Sequence, residues 1–341
     1  MVGIGIVGYG YWGPHLVRNF SDVEGCEVVA VSDLHNDRLN LISKRYPHVK
    51  TTAVYQDLLN DDSIDAIVVA TPVSTHYDLT IQALNAGKHV LVEKPMAHSS
   101  GAAQDMIRLA ERKNLTLQVD HTFVYTPAVE KIRQLVSENI LGDLYYYDSV
   151  RVNLGLFQND IDVIWDLAVH DLSILDYIIT KKPVSVSAIG ISHIPGKPED
   201  IAYITLHYQG SFIAHISVNW LSPIKVRKTI IGGSQKMIVY DDLEPSEKIN
   251  IYDRGITVSD DRQDCNKTII GYRNGEIITP YIEVTEALLT EAKHFIDCIN
   301  HHKKPITDGE SGLRVVKILE AASLSMERQG EVVPLYDQDP S

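Results

Sequence analysis

Short apolar runs rich in β-branched residues alternate with amphipathic stretches from residue 1 to about residue 121. The apolar runs predict strands, and the helical spacing of apolar positions between them predicts helices. Such alternation is typical of βαβ units, which build a parallel sheet covered by helices on both faces. The predicted strands are Gly3–Val7, Glu27–Ser32, Thr51–Val54, Ala66–Ala70, His89–Val92 and Thr116–Asp120. The predicted helices are 14–20, 36–45, 54–59, 75–86 and 99–113.

Beyond residue 127 apolar and polar residues alternate with a period of two, which indicates an antiparallel sheet with two different faces. Ala214, Ile216, Val218 and Trp220 form one such face of a single strand. The predicted strands are Leu144–Asn153, Pro183–Ser192, Ile201–Tyr208, Phe212–Asn219 and Val226–Gly232. The predicted helices are Pro127–Asn139, Val163–Ile179, Glu286–Asn300 and Ser311–Glu327.

This change of pattern divides the chain into two predicted domains, residues 1–121 and residues 122–341. The first is an α/β domain with a doubly wound parallel sheet, and the second is an α+β domain with an open-faced, mostly antiparallel sheet. The stretch Asp241–Glu283 is rich in Asp, Asn, Gly and Lys and is predicted to form hairpins and loops. We expect helices on one side of the second sheet, which leaves its free face as a candidate oligomer interface.

Composition and charge exclude several classes of function. The formal net charge of −14 disfavours nucleic acid and anionic membranes as partners. The chain has no apolar run long enough to span a bilayer, and its first residues do not form a signal peptide. Cys26, Cys265 and Cys298 lie far apart, and neither they nor the histidines show metal-ligand spacing. We therefore predict no metal and expect reduced thiols in the cytoplasm.

Gly8, Gly10 and Gly13 form a G-x-G-x-x-G pattern between the first predicted strand and the first predicted helix. In this pattern the glycines allow a sharp turn, bring the backbone close to a pyrophosphate and let the helix pack on the strand. The next strand leads to Asp33, 20 residues after Gly13, where a carboxylate can bind ribose hydroxyls. Asp33 would repel a 2′-phosphate, so we predict NAD rather than NADP. Arg38 could stack on adenine or serve such a phosphate, and a tight turn without ligand is the alternative.

Two loops follow consecutive predicted strands, at the edge where open α/β sheets bind ligands. The first contains Thr71 and His76, and the second contains Glu93-Lys94-Pro95. Because the proline disfavours a helical conformation at Lys94, the lysine ammonium can project into a cleft and hydrogen-bond a cofactor ribose and a substrate hydroxyl. An ordinary surface ion pair between Lys94 and Glu93 is the alternative interpretation.

Asp166 and His170 lie four positions apart on the predicted helix Val163–Ile179, so they share a face. A carboxylate beside an imidazole can orient it and raise its basicity, which suits a general base that removes a proton from an alcohol. A surface pair without function is the alternative. Asp171 and Asp176 point elsewhere on this helix and are expected to be solvated or capping groups.

Five motifs spread over nearly the whole chain occur together: the glycine turn, Thr71-Pro72 through His76, Glu93-Lys94-Pro95, His121-Thr-Phe-Val-Tyr125 and the Asp166/His170 pair. Together they resemble the motifs of the glucose–fructose oxidoreductase, inositol dehydrogenase and rhizopine-catabolism (Gfo/Idh/MocA) family. The resemblance implies a Rossmann nucleotide-binding domain, an open-faced sheet domain and assembly into dimers or tetramers through that sheet. It also implies hydride transfer between NAD(P) and a sugar or cyclitol carbon, with Lys94 and His170 in the acid/base positions and Asp166 as supporting carboxylate.

Within that family the chain looks most like the branch that oxidises carbon 3 of nucleotide-linked amino sugars, with UDP-N-acetylglucosamine as the expected substrate. A downstream aminotransferase would then use the 3-keto product on the way to a 2,3-diamino sugar of lipid A or another surface glycan. A UDP-N-acetylglucosaminuronate, a free sugar or an inositol as substrate, and a non-catalytic NAD-binding regulator, are the alternatives. The motifs are Gly10-Tyr-Trp-Gly-Pro14, Ser149-Val-Arg-Val-Asn-Leu-Gly155 and Trp165-Asp-Leu-Ala-Val-His170.

These motifs define the expected site. Arg151 carries the positive charge that a diphosphate requires, whereas His121 is as compatible with packing as with a cleft lining. The expected catalytic residues are Lys94, Asp166 and His170. The expected cofactor-binding residues are Gly8, Gly10, Tyr11, Trp12, Gly13, Asp33, Thr71, His76, Glu93 and Lys94. The expected substrate-binding residues are Lys94, His121, Tyr125, Arg151, Asp166 and His170.

Overall fold

The computed structural model describes residues 1–155, 161–260 and 268–336, and these residues form two compact units. Unit 1 comprises Met1–Thr126 and Thr285–Glu320. Unit 2 comprises Pro127–Val284 and the residues from Ala321 onward. The predicted fold class, a Rossmann-like parallel sheet followed by a domain with a mostly antiparallel sheet, is confirmed.

Unit 1 is built on a six-stranded sheet within the described residues, with strand order β3-β2-β1-β4-β5-β6 and every neighbouring pair parallel. This order reverses between β1 and β4, where doubly wound sheets bind their ligands. The strands are β1 Val2–Val7, β2 Cys26–Ser32, β3 Lys50–Thr52, β4 Ala66–Val69, β5 His89–Glu93 and β6 Leu117–Asp120. The helices among them are α1 Gly13–Ser21, α2 Asn36–Arg45, α3 Tyr55–Asn60, α4 His76–Asn85 and α5 Ser100–Lys113.

A helix from the far end of the sequence completes the core of unit 1, which a boundary placed after residue 121 does not anticipate. Helix α8, Ala287–His301, places Leu288, Ala292, Phe295 and Ile296 in the same apolar cluster as β1, β2 and α1. Burial of such side chains contributes about 1.5–3 kcal/mol each. Local periodicity predicts the apolar face of α8, but it does not indicate which sheet that face covers.

Unit 2 contains a nine-stranded sheet within the described residues, with order β14-β13-β12-β11-β7-β10-β9-β8-β15. Its neighbouring strands are antiparallel except β10 and β7, which run parallel. The strands are β7 Leu144–Leu154, β8 Pro183–Ile191, β9 Ile201–Tyr208, β10 Ile213–Asn219, β11 Leu221–Gly233, β12 Met237–Asp241, β13 Ile249–Asp260, β14 Thr268–Ile278 and β15 Val333–Pro334. The helices are α6 Pro127–Ser137 and α7 Val169–Ile178, and α9 Gly309–Glu327 begins in unit 1.

One predicted helix of unit 2 differs from the observed structure. The predicted helix Val163–Ile179 consists of a π-helical turn, Ile164–Ala168, followed by α7. The stretch predicted to form hairpins and loops contains the antiparallel pair of consecutive strands β13 and β14, so a hairpin in this stretch is confirmed. In the parts of the chain that the structure describes, no helix is long and apolar enough to cross a membrane.

Candidate active site and cofactor site

The three glycines of the turn after β1 differ in the space that a side chain would have at each position. Gly8 has φ of +97°, and a Cβ there would lie 2.3 Å from the carbonyl oxygen of Ala70. A Cβ on Gly13 would lie 2.5 Å from the carbonyl oxygen of Gly8. A Cβ on Gly10 would instead approach only Arg38, at 3.9 Å from Nη1. Gly8 and Gly13 therefore serve the turn and its packing, whereas Gly10 leaves room beside the backbone.

The start of α1 is suited to an anion. Among the described residues no side chain caps its first turn, and that turn contains no acidic residue. The flanking Tyr11 and Trp12 are 74% and 40% exposed. Backbone N–H groups and the positive end of the helix dipole thus face an uncrowded space.

Asp33, at the end of β2, is 6% exposed and held in a fixed orientation. Its carboxylate accepts hydrogen bonds from the backbone N–H groups of Tyr9, at 2.7 Å, and His35, at 2.8 Å. Arg38 Nη1 lies 3.2 Å from the same carboxylate. Burial alone would raise the pKa of Asp33, but the two backbone hydrogen bonds and Arg38 hold it below its usual value. Asp33 is therefore an ionised acceptor next to the glycine turn.

The glycine turn, the open helix start and the ionised carboxylate together fit NAD. Gly10 offers close approach to a pyrophosphate, α1 offers N–H donors, and Asp33 offers an acceptor for ribose hydroxyls. The fit rests on the space at Gly10, which a Cβ would partly fill.

His76 joins the two predicted ligand loops. Its Nδ1 lies 2.8 Å from the carbonyl oxygen of Pro95, and its Nε2 lies 2.8 Å from that of Thr71. The ring is 1% exposed, and burial lowers the pKa of His76 more than the two carbonyl contacts raise it. The structure therefore gives His76 a role in holding the loops together, whereas the sequence predicts a cofactor contact.

Lys94 is half-buried at the end of β5 and precedes a cis peptide bond to Pro95. The neighbouring Glu93 is 6% exposed, so the alternative of a surface ion pair is wrong. Glu93 pairs in register with Asp120 of β6, and both carboxyls approach Glu291 of α8. Burial, followed by the charge of Asp120, raises the pKa values of Glu93 and Glu291 well above the ordinary range. Glu93 therefore belongs to a buried carboxyl cluster, which revises its predicted role as a cofactor ligand.

His121 and Tyr125 are both buried, with 1% and 6% exposure. The Tyr125 hydroxyl lies 3.0 Å from the hydroxyl of Thr307, which donates to the carbonyl oxygen of Val119 at 2.7 Å. Burial raises the pKa of Tyr125 well above its usual value. These contacts favour the packing alternative over the predicted contact with substrate.

The segment that carries Asp166 and His170 begins at a side-chain cap. Asp162 Oδ1 accepts hydrogen bonds from the backbone N–H groups of Ile164, at 2.9 Å, and Trp165, at 3.0 Å. Burial raises the pKa of Asp162 to about 6. The π-helical turn that follows contains Asp166, and His170 is the second residue of α7; both are half-buried. Single π-helical turns are rare and frequently occur at functional sites.

Asp166 has a partner that sequence reasoning missed. The indole Nε1–H of Trp220 donates to Asp166 Oδ2 at 3.0 Å, and the Trp220 side chain is fully buried. The alternation of β10 and the following residue predicts that Trp220 faces inward. Nothing in that alternation indicates which residue would accept from its N–H group.

Arg151 is 3% exposed and pairs with Asp171, which is 2% exposed. Its Nε donates to Asp171 Oδ2 at 2.6 Å, its Nη2 to Oδ1 at 3.4 Å, and Ser149 Oγ donates to Oδ1 at 2.6 Å. Asp171 is therefore a buried anchor between β7 and α7, and the prediction that it is solvated is wrong. The Arg151 guanidinium, which the sequence predicts to meet a diphosphate, is buried against Asp171 in the structure.

The described residues contain no group of three or more His, Cys, Asp or Glu arranged to hold a metal ion. Gly155 is described, but the five residues after it lie outside the described residues. The expected site residues all lie within the described part of the chain. Lys94 lies in unit 1, and Asp166 and His170 lie in unit 2.

Curated proteins of similar sequence include several sugar and polyol dehydrogenases. The UDP-N-acetylglucosamine 3-dehydrogenase of Acidithiobacillus ferrooxidans is 25% identical over 92% of this chain and 93% of its own. The myo-inositol 2-dehydrogenase of Thermotoga maritima is 22% identical over 96% of this chain and 97% of its own.

The fold also matches solved structures along its whole length. An oxidoreductase from Agrobacterium radiobacter, crystallised with NAD+, L-tartaric acid and magnesium, superposes with a TM-score of 0.83. The two share 18% identity, and the match covers 98% of each chain. At this identity the likeness establishes the fold alone.

Two family models cover most of the sequence. Residues 2–121 match an oxidoreductase family with an NAD-binding Rossmann fold, and residues 133–335 match the C-terminal alpha/beta domain of the same family. The glycine turn and Asp33 lie in the first match, and Asp166 and His170 lie in the second. This chain is therefore an NAD-binding oxidoreductase of the Gfo/Idh/MocA family.

Proposed function

We propose that the chain catalyses the NAD-dependent oxidation of the carbon-3 hydroxyl of a UDP-amino sugar, with UDP-N-acetylglucosamine as substrate. The observation that carries the proposal is the similarity to a UDP-N-acetylglucosamine 3-dehydrogenase across both halves of the chain. Lys94, Asp166 and His170 support it, because these residue types suit proton transfer from an alcohol.

The proposal assigns the cofactor to the glycine turn of unit 1. Gly10 and the start of α1 would hold the pyrophosphate, and Asp33 would accept hydrogen bonds from the adenosine ribose. Bound NAD would supply the acceptor for the hydride that leaves the oxidised carbon. Asp33 favours NAD over NADP, because its charge opposes a 2′-phosphate.

The proposal assigns the acid/base steps to three side chains. His170 accepts the proton of the substrate hydroxyl, and the Asp166 carboxylate stabilises the imidazolium that this transfer creates. The Lys94 ammonium donates a hydrogen bond to the same oxygen and stabilises the negative charge that develops there. His170 must be unprotonated to accept a proton, so activity falls at low pH.

An inositol or a free sugar is the second candidate substrate. The burial of Arg151 favours it, because the basic residue expected to meet a diphosphate is paired with Asp171. The similarity to a myo-inositol 2-dehydrogenase over 96% of the chain supports the same alternative. Both candidates use the same hydride and proton transfers and differ in the group that carries the hydroxyl.

The proposal extends to the setting of the enzyme. A 3-keto sugar is a substrate for transamination, so a downstream aminotransferase would use the product to make a 2,3-diamino sugar for lipid A or another surface glycan. Cys26 and Cys298 are free thiols, which suits a reducing compartment such as the cytoplasm. Dimers or tetramers would form through the exposed face of the unit 2 sheet.

A substrate panel tests the proposal. Purified protein is incubated with NAD and, separately, UDP-N-acetylglucosamine, UDP-N-acetylglucosaminuronate, free N-acetylglucosamine and myo-inositol, and NADH absorbance and product mass are followed. We expect turnover of the UDP-amino sugar and a product two hydrogens lighter. Comparable or faster turnover of a free sugar or inositol would show that this compound, and not the UDP-amino sugar, is the substrate. Absence of NADH with every compound would contradict the enzyme assignment.

Substitutions identify the groups that act in this assay. Lys94→Ala and His170→Ala should each lower kcat by about 100-fold or more, while NAD binding is retained. Lys113→Met, which removes an exposed lysine from α5, is the matched control and should retain wild-type turnover. Wild-type turnover by either alanine variant would remove that residue from the mechanism.

A further inference from the structure

The hydrogen bond from Trp220 to Asp166 joins a fully buried side chain to a half-buried carboxylate of the candidate site. The donor is the indole Nε1–H, the acceptor is Asp166 Oδ2, and the distance is 3.0 Å. Trp220 lies between β10 and β11, whereas Asp166 lies in the π-helical turn before α7. The hydrogen bond therefore links the connection between β10 and β11 to a side chain on the turn.

The backbone holds Trp220 on both sides. Its N–H donates to the carbonyl oxygen of Asp200 at 2.9 Å, and its carbonyl oxygen accepts from the N–H of Gly155 at 2.9 Å. A Cβ at Gly155 would lie 2.3 Å from Cδ1 of the indole ring, so the absence of a side chain at Gly155 makes room for this ring. The donor that reaches Asp166 is thus on a rigid support.

A carboxylate on a helix can rotate about its side-chain bonds, and each rotation changes which oxygen a neighbour can reach. A hydrogen bond to one oxygen restricts this rotation and leaves the lone pairs of the other oxygen in a defined direction. Hydrogen bonds to charged acceptors are also stronger than neutral ones. Trp220 can therefore fix the carboxylate in one orientation as well as fill the core.

We propose that Trp220 is a positioning residue, whose indole N–H holds the Asp166 carboxylate in the orientation that serves His170. This inference rests on the proposed function, in which Asp166 supports His170 as the base. Trp220 acts through Asp166 and has no direct part in proton or hydride transfer. Trp165 lies on the same π-helical turn and provides a matched control. Its indole N–H donates to Ser323 Oγ, also at 3.0 Å.

Titration of the His170 imidazole by NMR tests the inference without any substrate. Removing the support of a carboxylate should lower the pKa of the imidazole, because the imidazolium loses its partner. We expect Trp220→Phe and Asp166→Ala to lower the pKa of His170, and Trp165→Phe to leave it unchanged. Trp220→Phe should have no further effect in an Asp166→Ala background. Unchanged titration in Trp220→Phe, or an equal shift in Trp165→Phe, would overturn the inference.

An isosteric replacement separates the hydrogen bond from packing. Benzothienylalanine at position 220 keeps the shape of the indole ring but replaces its N–H by sulfur, so it removes the donor without opening a cavity. It should reproduce the His170 shift of Trp220→Phe, and it decides the matter if the phenylalanine variant does not fold. A wild-type His170 titration with this replacement would show that Trp220 only fills the core.

Kinetics then separates this inference from the proposed function. If the wild type oxidises its substrate, Trp220→Phe should lower kcat about 10-fold with little change in KM, as expected for the loss of one hydrogen bond to a charged group. Absence of wild-type activity would contradict the proposed function, while the His170 titration would still decide the role of Trp220. An equal kcat loss in the wild-type and Asp166→Ala backgrounds would contradict action through Asp166.

Discussion

At the scale of single residues, the buried polar groups determine what the candidate site can do. Asp33 illustrates this, because the same carboxylate that could bind a ribose accepts the N–H groups of Tyr9 and His35 and lies beside Arg38. Its charge and orientation are set before any ligand arrives. The contacts of the turn thus fix the carboxylate that we expect to discriminate between NAD and NADP.

Asp33→Ser should weaken NAD binding and improve the relative use of NADP. The substitution removes an acceptor for ribose hydroxyls, removes the repulsion of a 2′-phosphate and releases Arg38 to meet that phosphate. The wild type should prefer NAD by at least ~10-fold, a difference of roughly 1.4 kcal/mol. Dissociation constants for both cofactors measure this. Asp37→Ser, a change at an exposed neighbour, should keep the wild-type ratio, and equal affinity of the wild type for both cofactors would contradict the role of Asp33.

The buried carboxyl cluster of Glu93, Asp120 and Glu291 makes the stability of unit 1 sensitive to pH. Burial raises the pKa of Glu291 above the value it has in the unfolded chain. Between these two values the folded protein binds more protons, so its stability falls as pH rises. Thr122 and Tyr125 also face Glu291, but neither brings a positive charge to it.

Glu291→Gln should therefore stabilise the protein at alkaline pH. At a pH below the ordinary carboxyl value both forms are neutral at this position, and their stabilities should be close. At pH 8 the variant should be more stable by on the order of 1–3 kcal/mol, because each unit by which the folded-state pKa exceeds the unfolded one contributes about 1.4 kcal/mol. Chemical unfolding at both pH values measures this, with Glu111→Gln on the exposed side of α5 as control. A pH-independent difference would contradict the raised pKa.

Sequence reasoning identifies the polar residue types at the site better than it identifies their surroundings. The sequence predicts ligand contacts for Glu93, Arg151 and His76. In the structure these residues instead lie beside Asp120, Asp171 and two backbone carbonyl groups, respectively. Spacing along a helix or strand gives the face of a residue. It does not give the partner from a distant element, which is why Trp220 and Glu291 were missed.

At the scale of elements, three sets of side-chain contacts hold the π-helical turn and α7 in place. Asp162 caps the start of the turn, Trp220 binds Asp166, and the Arg151–Asp171 pair joins α7 to β7. The periodicity that predicted one helix over Val163–Ile179 located this segment correctly. It could not indicate a π-helical turn, because a single such turn inside a helix changes the helical spacing of apolar positions very little.

Breaking the buried pair should destabilise unit 2. Arg151→Met leaves Asp171 buried without its guanidinium, which typically costs about 3–5 kcal/mol. Arg151→Met combined with Asp171→Leu should regain much of this loss, because both charges are then gone. Lys182→Met is the matched control, since it removes a more exposed ion pair to Asp176 of the same helix. Thermal unfolding measures all of these variants. A cost for Arg151→Met no greater than that of the control would contradict the anchoring role.

At the scale of the whole molecule, the fold class of each unit can be predicted from the sequence. The return of the chain to unit 1 at α8 cannot. The parallel sheet, the antiparallel sheet and the glycine turn follow from local pattern. The return of α8 to unit 1 brings Phe295 into contact with Phe20, two residues far apart in sequence. No period in the sequence encodes such a contact.

The open face of the unit 2 sheet provides a test of the proposed assembly. Ile189 and Tyr203 are partners across β8 and β9 and are 62% and 50% exposed. Ile189→Lys with Tyr203→Glu should reduce the oligomer to a smaller species, because charged groups would have to be buried at the interface. Light scattering after size-exclusion chromatography measures the mass. Leu41→Glu on α2 is the control, and an unchanged mass for the double variant would place the interface elsewhere.

In the proposed reaction, hydride leaves carbon 3 of a UDP-amino sugar for NAD. The most direct measurement follows deuterium from UDP-N-acetylglucosamine labelled at carbon 3, with a sample labelled at carbon 4 as control. We expect deuterium from carbon 3 to appear in the reduced nicotinamide and to slow turnover, while the label at carbon 4 stays in the sugar. Unlabelled NADH from the carbon-3 substrate, or transfer of the carbon-4 label, would contradict the proposed reaction.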